Sequence, residues 1–211
     1  CLISVLNQTY KNWEIIFWDN QSTDESKKIC KSFNDSRIKY FYADSHTDLY
    51  EARNLALKKI NGKFIAFLDT DDFWNLNKLE KQIAYFTDEK VGLVCSNFIF
   101  FNEINNKNKI WHSKKINSGY VLDRLLKDYF IGLPTVIIRK ETLENLNYSF
   151  NSKYNIIGDF DLFTRISQYW KIQYIDTPLA TYRWHGKNLA FNETDREIIE
   201  LENWLETIKT E

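Results

Sequence analysis

The chain of 211 residues has no methionine, two prolines, six glycines, three cysteines and no apolar run that could cross a bilayer. A membrane-spanning helix needs about 20 apolar residues, and the longest run here, Val91–Phe101, contains Ser96 and Asn97 and is better explained as a strand. The cysteines show no C-x-x-C pair, which favours free thiols in a reducing compartment. No signal peptide is recognisable. Because the chain starts at Cys1 without any Met, we expect its native N-terminus to be missing.

The charge of the chain is balanced, with 28 basic and 29 acidic residues and a formal net charge of −1. Such a chain has no overall field that would attract nucleic acid, so no nucleic-acid partner is expected. The sequence shows no Pro-rich or Gly/Ser-rich linker and no internal repeat. We therefore expect a single domain over residues 1–211.

Strand-like and helix-like patterns alternate in the first half, which predicts an α/β fold with a mostly parallel sheet covered by helices. The predicted strands are Glu14–Trp18, Ile38–Tyr42, Phe64–Leu68, Val91–Phe101, Thr135–Ile138 and Ile172–Ile175. The predicted helices are Leu2–Leu6, Asp24–Phe33, Leu49–Ile60, Asn77–Phe86, Val121–Tyr129, Gly158–Tyr169 and Asn192–Ile208. Residues 102–109 have the composition of a hairpin tip or a mobile loop. The second half is expected to be less regular than the first.

Three carboxylates, Asp69, Asp71 and Asp72, follow directly after the predicted strand Phe64–Leu68. In α/β folds the C-terminal ends of strands usually contribute to a ligand site. Asp69-x-Asp71 offers hard oxygen ligands that suit Mg²⁺ or Mn²⁺, and such an ion would neutralise a bound diphosphate. The alternative is a solvated acidic turn in which Asp72 caps the next helix.

Two further acids, Asp19 and Asp159, are placed in a similar way, one after a predicted strand and one at the start of a predicted helix. Strand ends of a parallel sheet converge on one crevice, so we expect both acids near Asp69 and Asp71. Converging carboxylates repel one another and are usually kept for a cation or for proton transfer. Taken singly, Asp19 could start a turn and Asp159 could favour the helix dipole.

Four segments in this order resemble the family 2 glycosyltransferases, which are inverting nucleotide-sugar transferases of the GT-A fold. They are Ser4–Ser26, Glu51–Ile83 with its A-R-N and D-x-D motifs, Gly158–Ser167 (GDFDLFTRIS) and Pro178–Ala190 (PLATYRWHGKNLA). The resemblance implies a Rossmann-like, mostly parallel central sheet flanked by helices. It also implies a nucleotide-sugar-binding half at 1–101 and a smaller mixed acceptor-side half with the catalytic base at 102–211.

The resemblance implies donor-binding roles for four residues. Asp19 matches the acid that accepts a hydrogen bond from the uracil N–H of the donor. Arg53 matches a basic residue near the base or the diphosphate, with a surface ion pair as the alternative. Asp69 matches the acid near the ribose, and Asp71 matches the direct ligand of the metal.

The resemblance also implies the catalytic chemistry. Asp159 matches the general base that takes the proton from the acceptor hydroxyl in a single inverting displacement. His185 matches a position that reaches the metal or the diphosphate in some relatives, although a lone histidine is more often structural. The implied cofactor is Mn²⁺ or Mg²⁺.

The partners that the resemblance implies are small molecules. They are a nucleotide-sugar donor, in the first place a UDP-sugar, and a glycan or lipid-linked sugar acceptor in polysaccharide or glycolipid synthesis. The expected location is cytoplasmic, with peripheral association at the inner face of the cell membrane. In the acceptor half, four aromatic residues are candidates for stacking on sugars, with core packing as the alternative: Trp111, Tyr129, Trp170 and Trp184.

The chain departs from the family pattern at three places that matter for function. Ala190 stands where Ser is common after Y-R-x-H-x-x-N-x, which bears on any hydroxyl contact there. The first strand of the family fold is not in the sequence, which starts inside the following helix. Gly158 stands where a Glu often precedes the catalytic Asp, yet Asp159 remains preferred over Asp161 as the base.

Two other functions fit part of the pattern. A catalytically inactive GT-A-like domain would serve as a binding or scaffold module, although the intact Asp71 and Asp159 argue against it. A haloacid dehalogenase-type phosphohydrolase also has D-x-D after a strand. Its nucleophile strand should open the domain, whereas about 60 residues precede the motif here, and Phe73 stands where Thr or Val is usual.

Overall fold

The computed structural model describes residues 1–210, apart from the side chains of Ala190, Phe191 and Thr210. The first half contains α1 (Leu2–Leu6), β1 (Ile15–Asp19), α2 (Ser26–Ser32), β2 (Ile38–Tyr42), α3 (Leu49–Leu57), β3 (Phe64–Ala66), β4 (Phe73–Trp74), α4 (Lys78–Ile83) and β5 (Val91–Asn102). The second half contains β6 (Lys107–Ile110), α5 (Leu122–Lys127), β7 (Ile137–Arg139), α6 (Lys140–Glu144), α7 (Gly158–Tyr169), β8 (Lys171–Trp184), α8 (Leu189–Asn192) and α9 (Thr194–Thr210). The predicted α/β class is confirmed.

The strands of the described residues form two sheets. β1 and β2 pair in parallel with each other. The other strands form a sheet of order β3-β7-β5-β8-β4, with β6 paired to β5. β1 and β3 belong to different sheets, and residues of both strands line one groove.

The larger sheet is mixed, so the expectation of a mostly parallel sheet is wrong in its detail. Within residues 1–210 only β1–β2 and β5–β8 are parallel pairs. β7 lies between β3 and β5 and is antiparallel to both, so these two strands run in the same direction without touching. Strand–helix alternation therefore predicted the direction of β3 and β5 correctly. It does not reveal a later strand that inserts between them.

The longest strand, β8, continues from Lys171 to Trp184, well beyond the predicted end at Ile175. A proline has no N–H to donate, and Pro178 therefore suggested a break. The structure instead places Pro178 opposite Asn97 of β5, where the register shifts as in a β-bulge. The sheet thus absorbs the proline and carries β8 on to the segment around His185.

The core lies on both faces of β5. Leu93 and Cys95 belong to one buried cluster, which packs under α7, and Val94 and Phe98 belong to the other. Alternate side chains of a strand point to opposite faces, so a continuous apolar strand is buried on both sides. In the part of the chain that is described, no helix is both long and apolar enough to cross a membrane.

Candidate active site

A groove of about 1360 Å³ between β1 and β3 extends over the carboxyl end of β3 towards β5 and β8. Four residues with predicted roles line it, namely Arg53, Asp69, Asp71 and Asp159. The groove is bordered by apolar strand edges, and these acids and one guanidinium are gathered at one part of its wall. The structure therefore brings together most of the predicted site residues. Arg53, Asp69 and Asp71 precede Asp159 by about 90 or more positions in the sequence.

Asp71 is held by the end of β8 and by the segment that follows it. The Nε2 atom of His185 lies 3.2 Å from the Oδ2 atom of Asp71, and the side-chain amide of Asn188 donates to the same oxygen at 3.2 Å. Arg183 donates from Nε to the backbone oxygen of Asp71 at 2.7 Å. The Asp71 side chain remains 30% exposed, so it is accessible from the groove.

Asp69 is paired with Arg53, whose guanidinium donates to both carboxylate oxygens at 2.8 and 3.0 Å. The Arg53 side chain is only 11% exposed and its partner Asp69 47%. The ion pair of the alternative role is therefore present, but Arg53 is not a surface residue. Its guanidinium also lies 5.1 Å from the ring centre of Tyr50. Arg53 therefore links Asp69 to the surroundings of Asp159.

Asp159 lies in the first turn of α7 and accepts three hydrogen bonds. The hydroxyls of Tyr50 and Tyr129 donate to its two carboxylate oxygens, each at 3.2 Å, and the backbone N–H of Phe160 donates at 2.9 Å. Burial raises the pKa of Asp159 above its ordinary value, although Arg53 and the three donors oppose the rise. A carboxylate with a raised pKa is suited to general-base work near neutral pH.

The start of α7 is fixed by a second acid, Glu200 of α9. Its carboxylate accepts from the backbone N–H groups of Asn155, Ile156 and Ile157 at 2.8, 2.9 and 3.1 Å. These N–H groups immediately precede the helix and would otherwise be left without partners. Glu200 thereby holds in place the turn from which Asp159 projects.

Both carboxylate oxygens of Asp161 are bonded to other residues of the fold. Its Oδ2 pairs with Arg165 at 2.7 Å, and its Oδ1 accepts from Trp204 Nε1 at 3.1 Å. Only 3% of Asp161 is exposed. Both of its oxygens are engaged away from the groove, which supports the choice of Asp159 as the candidate base.

Asp19 lies beside the groove and does not face it. It is 2% exposed, and it accepts from the backbone N–H of Ser22 at 2.7 Å and from the hydroxyl of Tyr40 at 2.5 Å. Burial tends to raise the pKa of Asp19, but these hydrogen bonds outweigh it and hold the pKa below its ordinary value. The neighbouring Asn20 lines the groove instead. A contact of Asp19 with a donor base stays a prediction.

The helix-capping role considered for Asp72 is wrong. The following helix, α4, begins at Lys78 after Asn77, and Asp72 instead accepts from the backbone N–H of Arg183 at 2.9 Å. Burial raises the pKa of Asp72 to about 8. The side chain thus braces the acidic turn against β8, a contact that only the pairing of β4 with β8 creates.

A row of aromatic rings covers the part of the groove formed by β5, β6 and β8. Trp111 is 41% exposed and stacks over Phe98, with ring centres 5.3 Å apart. Phe100 stacks in turn on Tyr182 at 5.9 Å and Trp184 at 6.4 Å. Of the four candidates for sugar stacking, Trp170 packs against the core. Tyr129 packs against the core and also lines the groove, and Trp111 presents its ring at the groove.

Sequence reasoning missed Asn188 and Tyr50 as members of the site. Asn188 lies three positions after His185, and this spacing within the closing segment was the available signal. Tyr50 stands one turn before Arg53 on α3, so that both face the same side of the helix. Nothing in the sequence links Tyr50 to Asp159, which lies 109 positions away.

The residues of the groove fit a divalent cation only in part. Among the described residues, no group of three or more His, Cys, Asp or Glu side chains is arranged to hold a metal. Asp71 and His185 supply two donors. Magnesium-type sites commonly use one or two carboxylates and take the remaining ligands from substrate phosphates and water. The donor set therefore fits an ion whose coordination a bound diphosphate would complete.

Comparison with known proteins identifies the family. The family model described as Glycosyl transferase family 2 matches residues 1–166. The enzyme "UDP-Glc:alpha-D-GlcNAc-diphosphoundecaprenol beta-1,3-glucosyltransferase WfgD" of Escherichia coli is 37% identical over 150 residues, which are 71% of this chain and 58% of that protein. WfaP of Escherichia coli, which has the same enzyme name, is 31% identical over 205 residues, 97% of this chain and 78% of that protein.

Solved structures show the same fold. The crystal structure of S. aureus TarS 1-349 in complex with UDP-GlcNAc has a TM-score of 0.71 and 18% identity, and the likeness covers 89% of this chain and 54% of that one. This likeness confirms the expected GT-A fold. The chain spans 58% of the length of WfgD and about half of the TarS chain. The family match, over more than half of the residues, shows that this chain is a member of glycosyl transferase family 2.

Proposed function

We propose that this chain transfers a sugar, with inversion, from a nucleotide diphosphate donor to a hydroxyl group of a glycan or lipid-linked acceptor. The observation that carries the proposal is the meeting of Asp71, Asp69 and Asp159 along one groove. A UDP-sugar is the preferred donor, because the names of WfgD and WfaP contain UDP-Glc and TarS was crystallised with UDP and with UDP-GlcNAc.

Asp159 is the proposed general base. Its carboxylate lines the groove, where it would take the proton from the acceptor hydroxyl as the oxygen attacks the anomeric carbon of the donor. General-base catalysis of this kind contributes roughly 10²–10⁴-fold to a rate. The Arg53–Asp69 pair would hold the donor near its ribose and diphosphate.

Asp71 and His185 are the proposed holders of Mn²⁺ or Mg²⁺, with Asn188 orienting the carboxylate of Asp71. When bound, such an ion supplies Lewis-acid stabilisation of the charge on a leaving diphosphate. The proximity of Asp71 Oδ2 and His185 Nε2 supports this assignment.

The acceptor is proposed to lie along the aromatic row and the adjacent hairpin. Lys109 of β6 is in register with Phe100, and Lys107 with Asn102. Residues 104–122 contain four lysines and no acid, which favours an acceptor that carries phosphate. The printed acceptor of WfgD is a sugar diphosphoundecaprenol. A lipid-linked acceptor would place the enzyme in the cytoplasm, at the inner face of the membrane.

The test is a transfer assay with UDP-, GDP- and dTDP-sugars, Mn²⁺ and a synthetic GlcNAc-diphospholipid, followed by mass spectrometry of the product. We expect one donor to give a glycosylated lipid, and we expect Asp159→Asn to bind UDP normally while losing transfer by roughly 10²–10⁴-fold. UDP binding without transfer of any sugar would instead support the scaffold alternative. Phosphate release from a simple phosphomonoester would support the phosphohydrolase.

A further inference from the structure

We propose that Tyr50 and Tyr129 together hold the Asp159 carboxylate and are positioning residues for its proton transfer. This inference rests on the proposed function, in which Asp159 removes the proton of the acceptor hydroxyl. We call the arrangement of these three residues the tyrosine clamp.

The two tyrosine hydroxyls of the clamp each lie within hydrogen-bond distance of a different oxygen of the Asp159 carboxylate. The Tyr50 hydroxyl lies 3.2 Å from Asp159 Oδ1, and the Tyr129 hydroxyl lies 3.2 Å from Asp159 Oδ2. The backbone N–H of Phe160 adds a third donor on Oδ1 at 2.9 Å. Donors on both oxygens fix the plane of the carboxylate, whereas a single donor would leave it free to rotate.

Both tyrosines are themselves held rigidly. Tyr50 is 3% exposed, and its ring stacks on Phe150 with centres 5.1 Å apart. The ring of Tyr129 meets the ring of Phe160 edge-on at 5.3 Å. The two tyrosines come from α3 and from the segment after α5, so the clamp joins two elements to the first turn of α7.

The two hydroxyls have different tasks. Tyr50 has two acceptors within reach, the backbone oxygen of Ile156 at 3.0 Å and Asp159 Oδ1, but a hydroxyl has one proton. When Asp159 is protonated, Tyr50 can donate to Ile156 and accept from the carboxyl group. Tyr129 donates to Asp159 Oδ2 and therefore favours the ionised form. We expect the loss of the Tyr129 hydroxyl to affect the pKa of Asp159 more strongly.

Gly158 makes room for the clamp. A Cβ atom at position 158 would lie 2.5 Å from two carbons of the Tyr50 ring, which is closer than any side chain tolerates. The ring therefore occupies the place of a side chain at 158. A residue larger than glycine at position 158 would therefore require the Tyr50 ring to move.

The other groups around the Asp159 carboxylate lower its pKa, as the two clamp hydroxyls do. Arg53 and Tyr50 face Asp159 from α3, Tyr129 faces it from the segment after α5, and the Phe160 N–H faces it from α7. Burial raises the pKa of each tyrosine well above its ordinary value, so both remain protonated donors throughout the working pH range. Hydrogen bonds to the ionised form of a carboxylate lower its pKa.

The test compares Tyr129→Phe and Tyr50→Phe with the control Tyr169→Phe, which removes a hydroxyl from a 72% exposed ring on α7. NMR of ¹³C-labelled aspartate gives the pKa of Asp159 directly, with assignment by Asp159→Asn. We expect Tyr129→Phe to raise this pKa by about one unit, Tyr50→Phe to raise it less, and the control to leave it unchanged. The acidic limb of the profile of kcat/KM against pH should shift together with the pKa of Asp159. The KM for the donor should stay unchanged.

The outcomes separate the clamp from the proposed function. If the pKa of Asp159 does not move in Tyr129→Phe while the variant remains folded, the clamp is overturned, whatever the activity of the wild-type protein. If the pKa moves but the wild-type protein transfers no sugar from any donor, the clamp stands and the proposed function fails. If the pKa moves and kcat does not change at any pH, Asp159 is clamped but is not the base, which overturns the positioning role.

Discussion

The Nε2 atom of His185 lies 3.2 Å from the Oδ2 atom of Asp71, across 114 positions of the sequence. Asn188 supports the pair from both sides, because its amide donates to Asp71 at 3.2 Å and its Oδ1 accepts from the backbone N–H of His185 at 2.9 Å. The segment that follows β8 thus places an imidazole nitrogen beside a carboxylate that follows β3.

If this pair holds a divalent ion, Asp71→Asn should weaken the binding of UDP in the presence of Mn²⁺ and leave metal-free binding unchanged. We expect a loss of at least about tenfold, because contacts to a charged group are worth ~1.5–3 kcal/mol. Calorimetric titration with and without Mn²⁺ measures the effect. Asp123→Asn, on the exposed side of α5, is the matched control. Equal affinity of the wild-type protein with and without Mn²⁺ would remove the metal from the mechanism.

Asp161 and Asp159 are two positions apart, but their substitution by Asn should have different effects, one on stability and the other on activity. Asp161→Asn breaks a buried pair with Arg165, so we expect the free energy of unfolding to fall by about 3 kcal/mol. Asp159→Asn should change stability far less and lower sugar transfer by roughly 10²–10⁴-fold. Urea denaturation and the transfer assay on both variants provide the comparison. A stable, inactive Asp161→Asn protein would show that the base is assigned to the wrong carboxylate.

Gly158→Ala should disturb the tyrosine clamp, because the new Cβ atom meets the ring of Tyr50 at 2.5 Å. Overpacking of this kind costs about 1–3 kcal/mol, and we expect kcat to fall with little change in donor binding. Thermal unfolding and steady-state kinetics measure the two effects. Combining Gly158→Ala with Tyr50→Ala should cost less stability than the sum of the single changes. Strict additivity would mean that residue 158 and Tyr50 do not compete for the same space.

We expect Lys78 to make the stability of the protein depend on pH. Its side chain is fully buried, with Nζ 4.3 Å from the centre of the Trp74 ring and 3.4 Å from the backbone oxygen of Val136. Burial lowers the pKa of Lys78 well below its ordinary value of 10.5. The unfolded chain therefore binds a proton that the folded chain releases, and this destabilising effect fades as pH rises towards 10.5.

Lys78→Met should remove this dependence. We expect the variant to be more stable than the wild-type protein at pH 7 by at least about 1 kcal/mol, with the difference shrinking as pH approaches 10. Urea denaturation at pH 6, 7, 8 and 9 measures the difference, in which the other titrating groups cancel. A difference that is constant with pH would show that Lys78 remains protonated in the folded protein.

Much of the site could be read from short stretches of sequence. The strand that precedes Asp69 and Asp71 and the helix that opens with Asp159 were predicted, and the family resemblance implied that His185 could reach the metal or the diphosphate. These features depend on local periodicity, on motif spacing and on a family resemblance. The strand and the helix follow from neighbouring residues, whereas the contact of His185 with Asp71 also needs the tertiary fold, because it spans 114 positions.

The remaining features arise where distant segments meet. Strand-helix alternation did not show that β7 would insert antiparallel between β3 and β5, nor that Asp72 would brace β8. The two tyrosines reach Asp159 from 30 and 109 positions away. Sequence patterns therefore settled which segments become strands and helices and which acids stand at their ends, because those properties follow from neighbouring residues. The partners of each acid were settled by tertiary packing, because strand direction and side-chain contacts depend on how the whole chain crosses over itself.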